Sequence, residues 1–162
     1  MKAATVSQLK KELSYQSKDE LLELCLRLSK FKRENKELLT YLLFEADNED
    51  GYIETVKNEI EQQFELINTS SYYYIKKSVR KILRNAKKYI RYSKQKETEI
   101  EILLHFCRVL KNMKPSINKN TTLLNILNRQ LLLIRKVVNT LHEDLQYDYT
   151  VELSNIKTEN KE

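Results

Sequence analysis

One glycine (Gly51) and one proline (Pro115) in 162 residues constrain this chain more than any motif in it. Strands are joined by turns, and tight turns place Gly, Pro, Asn or Asp at special backbone angles. A chain almost without Gly and Pro is therefore a poor candidate for a β-rich fold, whereas helices joined by short loops need neither residue. Hydrophobic residues make up 41% of the chain and charged residues 32%. That is enough apolar material for a core and too much charge for a membrane protein. No apolar run approaches the roughly 20 residues that span a bilayer. Residues 1–13 are polar and Lys-containing and carry no signal-peptide apolar stretch, so the expected location is cytoplasmic. Cys25 and Cys107 both fall in apolar helical stripes. They read as small hydrophobes in a reducing compartment and not as a disulfide.

Apolar spacing lays out the helices. A short one is predicted over 6–15. Ser17-Lys18-Asp19-Glu20 is a capping box, with Ser17 at the N-cap and Glu20 at N3. From there Leu21, Leu24, Cys25, Leu28, Phe31, Leu38, Leu39 and Leu42 follow one helical face, interrupted at Asn35, which predicts a bend or break near 33–36. Residues 47–51 read as a loop. A helix over 52–67 turns Ile53, Val56, Ile60, Phe64 and Ile67 inward, and Asn68-Thr69-Ser70-Ser71 supplies N-cap residues for a helix that runs to about Ser93. The next helix, 98–113, has acidic residues at its start, Lys111 and Lys114 at its end, and Pro115 as its stop. Its apolar surface is wide enough for a central position. A last helix starts near Thr121, with Leu124, Leu127, Leu131, Ile134, Val138, Leu141 and Leu145 at heptad spacing, and reaches Tyr147 or beyond. The predicted architecture is all-α. It has five to six antiparallel amphipathic helices in a bundle or short α-solenoid-like stack, one domain over 1–154, and a polar, flexible tail over 155–162.

Charge is unevenly spread. Residues 45–68 hold eight acidic side chains and one basic one, Lys57; residues 69–96 hold ten basic side chains and no acidic one. On a helical wheel, Ile75, Val79, Ile82, Leu83, Ala86, Tyr89 and Ile90 fill an arc of about 120°. Lys76, Lys77, Arg80, Lys81, Arg84, Lys87, Lys88, Arg91 and Lys94 fill an opposite arc of about 140°, with Tyr73, Tyr74 and Tyr92 in it or at its edge. Like charges four residues apart destabilise a helix by a few tenths of a kcal/mol per pair, so an anion should lie nearby. Two readings compete. Glu54, Glu59, Glu61 and Glu65 of the preceding helix pair with the cations, or the cations stay exposed and meet phosphates. The second needs cation density more than exact spacing, and tyrosines beside the cations can stack on bases. The same face lying on an anionic membrane is a further option.

Catalytic patterns are missing. His105 and Cys107 point about 200° apart on a helix, and His142 and Glu143 also diverge, so neither pair holds one metal. There is no Gly-rich phosphate loop, no Gly-flanked Ser elbow and no His-Glu-x-x-His. No catalytic residue, metal or cofactor is assigned.

Three stretches carry a resemblance: Leu9-Lys10-Lys11-Glu12-Leu13 followed by Ser17-Lys18-Asp19-Glu20-Leu21, then Ala86-Lys87-Lys88-Tyr89-Ile90, then Glu101-Ile102-Leu103-Leu104-His105-Phe106-Cys107. Their order resembles an uncharacterised bacterial family of all-helical proteins, known only as a domain of unknown function. The resemblance implies the helical fold and no activity. The expected function is a non-enzymatic helical module that binds an unknown protein partner. The alternative is nucleic-acid or other polyanion binding through the basic face at 70–94. The oligomeric state is open.

Overall fold

The computed structural model describes residues 1–158. Among them are eight α-helices and no strand: α1 (Val6–Leu13), α2 (Lys18–Phe31), α3 (Arg33–Thr40), α4 (Glu49–Glu65), α5 (Tyr72–Ser93), α6 (Lys96–Asn112), α7 (Thr121–Val138) and α8 (Glu143–Thr158). The all-α class holds, and the count of five to six is too low. The described chain forms two compact units, one of residues Met1–Phe44 and one beginning at Glu45. Of the tail expected at 155–162, residues 159–162 lie outside the described residues. The remainder is the last turn of α8, with Ile156 buried.

Two breaks raise the helix count. The first separates α2 from α3 at Lys32, whose backbone is extended (φ −140°, ψ 147°), beside the Asn35 interruption. The Asn35 amide donates to the carbonyl of Leu28 at 2.8 Å, closing the end of α2 against the start of α3. The second break falls inside the heptad run after Thr121. There α7 ends at Val138, and the Thr140 hydroxyl bonds back to the Val137 carbonyl at 2.7 Å. Asn and Thr compete with the helix for backbone partners, and here they prevail over the leucine spacing. The Gln146 amide then donates to the Leu141 carbonyl at 2.7 Å, satisfying a backbone oxygen freed by the break.

The predicted loop at 47–51 is also shorter than expected. Asn48 is the N-cap of α4 and accepts the Gly51 N–H at 3.1 Å, so the lone glycine lies in the first helical turn. α3 continues into a π-helical turn, Tyr41–Glu45.

In the second unit α6 is the central helix. Ile100, Ile102, Leu103, Leu104, Phe106, Cys107 and Leu110 are buried around its circumference, and α4, α5, α7 and α8 all pack on it. Residue pairs fix the directions. Lys57–Glu101 (2.9 Å) and the Phe64–Phe106 rings (5.7 Å) rise in the same sense along α4 and α6, which therefore run parallel. Arg108–Glu152 (2.6 Å) and the Lys111 bond to the Ile156 carbonyl do the same for α6 and α8. Tyr52 meets Tyr89, and Gln63 meets Asn85, so α4 and α5 run antiparallel. Cys107 is buried, and burial pushes its thiol up to about 12. Cys25, expected inside an apolar stripe, is exposed. Among the described residues no helix is long and apolar enough to cross a membrane.

Candidate nucleic-acid interface

The candidate interface is one face of α5, and the opposite face holds the helix in place. Ile75, Val79, Ile82, Ala86 and Ile90 are buried at the spacing of a single helical stripe. Burying the four larger of these side chains is worth roughly 6–12 kcal/mol. Against that stand five like-charge pairs at i and i+4: Lys76/Arg80, Lys77/Lys81, Arg80/Arg84, Arg84/Lys88 and Lys87/Arg91. At a few tenths each they cost about 1–2.5 kcal/mol. Burial prevails, and the helix forms across the whole cationic run.

With the apolar stripe inward, the basic residues turn out. Lys77, Arg80, Lys81, Arg84, Arg91 and Lys94 are exposed, and Lys76, Lys87 and Lys88 are half-buried along their stems. Lys94 is the C-cap, one residue past the helix, in the left-handed region at φ 59°. The backbone leaves the helix there, so the helical-wheel position of Lys94 does not apply. Tyr73 and Tyr74 are exposed with edge-on rings 5.4 Å apart. Tyr72 is half-buried and donates to the Ser116 carbonyl at 2.8 Å. Tyr92, read as lying at the edge of the basic arc, is buried, with its ring edge-on to Tyr89 at 6.1 Å, and is withdrawn from any stacking role. Ser71, the N-cap, makes no side-chain capping bond.

Of the four carboxylates expected to neutralise this face, Glu54, Glu59 and Glu61 have other partners. Glu54 and Glu101 both hold Lys57, at 3.1 and 2.9 Å. Both partners lift the Lys57 ammonium above its ordinary range, against the effect of its burial. Glu59 accepts from the Tyr89 hydroxyl at 2.9 Å and the Gln63 amide at 2.8 Å. Glu61 lies 3.1 Å from His105. Glu49 accepts the Ser93 and Thr98 hydroxyls, a use the sequence gives no sign of. Among the described residues, no carboxylate forms an ion pair with Lys76, Lys77, Arg80, Lys81, Arg84, Lys87, Arg91 or Lys94. Lys88 differs, since its ammonium also lies 4.9 Å from the centre of the Tyr89 ring. Among the described residues, the intramolecular pairing of Glu54, Glu59, Glu61 and Glu65 with Lys76, Lys77, Arg80, Lys81, Arg84, Lys87 and Arg91 of α5 is therefore not formed. The reason is register. Glu54 and Glu61 of α4 face Lys57 and His105, and where α4 carboxylates do meet α5, Glu59 at Tyr89 and Glu49 at Ser93, they accept from hydroxyls.

A pocket of about 510 Å³ is lined by Glu61, Glu65, His105, Arg108 and Lys114, among others, and its charges are mixed. No group of three His, Cys, Asp or Glu residues among the described residues is placed to hold a metal ion. The chain matches no protein-family model, no curated protein sequence and no solved structure.

Proposed function

We propose that this chain is a non-enzymatic binding protein that holds the phosphate backbone of a nucleic acid on the basic face of α5. One observation carries the proposal. Seven cations of α5, Lys76, Lys77, Arg80, Lys81, Arg84, Lys87 and Arg91, share one face of the helix, and with Lys94 just past its end they have no ion-pair partner among the described residues. Each mobile counterion released from a polyanion is an entropic gain, so binding of this kind draws on charge density without base-specific contacts. Exposed Tyr73 and Tyr74 stand at the N-terminal end of the row, where a base can stack. A cytoplasmic location fits the two free thiols and belongs to the same reading.

The test is fluorescence anisotropy with labelled DNA and RNA at two or more salt concentrations. Affinity should fall steeply with salt, with a log–log slope of about −4 to −6 if ~5 duplex phosphates are neutralised. Replacing Arg80, Arg84, Lys87 and Arg91 together by Gln should abolish binding and leave the far-UV circular dichroism unchanged. No binding at low salt defeats the proposal. A second reading, a helical surface for a protein partner, draws on a different observation: the many exposed leucines before residue 45. It predicts a complex that survives nuclease treatment.

A further inference from the structure

Residues 1–44 form a compact unit with no interior of its own. None of the side chains of α1, α2 or α3 is buried, and Tyr41 is the one buried residue before Glu45. On α2, Leu24, Leu28 and Phe31 are 40%, 61% and 76% exposed; after α3, Leu42, Leu43 and Phe44 are 56%, 63% and 75% exposed. At roughly 200 Å² for a fully exposed Leu or Phe, these six present about 700 Å² of apolar surface. Each partner in a standard stable interface contributes about 800 Å².

Three features identify what covers this surface. The first is shape. Leu21, Leu24, Leu28 and Phe31 follow the 3-4-3 spacing of a coiled-coil seam. Leu28 of that seam itself lines a groove of about 240 Å³, together with Cys25, Leu38, Leu39 and Leu42. An apolar seam that can face its own copy suits a two-fold symmetric contact, in which the same patch serves both chains. The second is charge. Residues 18–37 carry six basic and five acidic side chains, interspersed. Nothing there selects a strongly acidic or basic partner, and two copies meet without appreciable net repulsion. The third is size. Units near 40 residues seldom hold a fold without a metal, a disulfide or oligomerisation, and the one cysteine here, Cys25, is free.

We infer that residues 1–44 are a self-association module: the α2–α3 hairpin of one chain packs against the same hairpin of a second copy. Light scattering coupled to size exclusion, run at about 100 μM and in 0.5 M salt to exclude bridging by polyanions, reads this directly. The full chain should have twice the 19.4 kDa mass of one copy. Leu28→Glu with Phe31→Glu should reduce it to one copy while the thermal transition persists, since both side chains are exposed and outside the core around α6. A single-copy mass for the unaltered chain overturns the inference, whatever then covers the patch. So does a doubled mass that both substitutions leave intact. The Arg80, Arg84, Lys87 and Arg91 to Gln variant should keep the doubled mass, so this result and the nucleic-acid result fail or stand separately.

Discussion

Gly51 shows how a single residue can be read correctly as special and wrongly as to why. Glycine marks loops, yet this one is helical, and its lack of a side chain serves the cap. A Cβ added to it would come 2.4 Å from the Asn48 amide nitrogen, and Asn48 is the group that accepts the Gly51 N–H. Glycine to alanine inside a helix ordinarily gains about 1 kcal/mol, and loss of an Asn N-cap costs about as much. Gly51→Ala should therefore change stability by less than ~0.5 kcal/mol. Asn48→Ala should cost about 1 kcal/mol alone and almost nothing on top of Gly51→Ala. A melting temperature that rises clearly in Gly51→Ala alone would contradict this. His105 supports a prediction about pH. Burial, then the charges of Lys57 and Arg108, hold its imidazole below its ordinary value of 6.5, and the pull of Glu61 only partly offsets them. The unfolded chain then binds the proton first as pH falls. Stability contributed by neutral His105 is present above about pH 6.5 and declines from there down to the depressed folded value. Denaturant midpoints measured across this range should fall on the acid side, and His105→Gln should remove that part of the slope.

At the scale of the element, α5 was the most legible part of the sequence, because an apolar stripe and a cationic stripe on one run leave a helix a single orientation. The fate of the α4 carboxylates was not legible. It depends on α6, some forty residues further along the chain, lying parallel to α4 and presenting Glu101 to Lys57 and His105 to Glu61. The α7–α8 break was visible only as Asn139-Thr140, a weak signal beside seven heptad positions. Repulsion along α5 gives a prediction with two readouts. Arg84→Glu removes the like-charge pairs with Arg80 and Lys88 and replaces them with attractive ones. The free protein should gain about 1 kcal/mol, which raises the melting midpoint by about 2–4 °C for a chain of this size. Affinity for nucleic acid should drop, and its salt slope should become shallower by about 2. A destabilised Arg84→Glu would show that an unseen anion already neutralises the face.

For the whole molecule, fold class followed from the scarcity of turn residues, and the division into two units did not. The second unit closes with α8, whose Tyr149, Leu153 and Ile156 are buried and whose tyrosine hydroxyl is held protonated by burial and the nearby Glu101. Those three side chains contribute roughly 5–8 kcal/mol, a large share of the 5–15 kcal/mol typical of a folded domain. A chain ended at residue 142 should therefore lose its cooperative thermal transition or aggregate. An intact transition would show that α8 is dispensable. The burial beneath α5 has one more consequence. Its guanidinium and ammonium groups are mounted on a rod that is already built, so a polymer landing there orders side chains and displaced ions but no backbone. Calorimetry of such an encounter should show a heat-capacity change near zero, unlike basic peptides that become helical only upon contact.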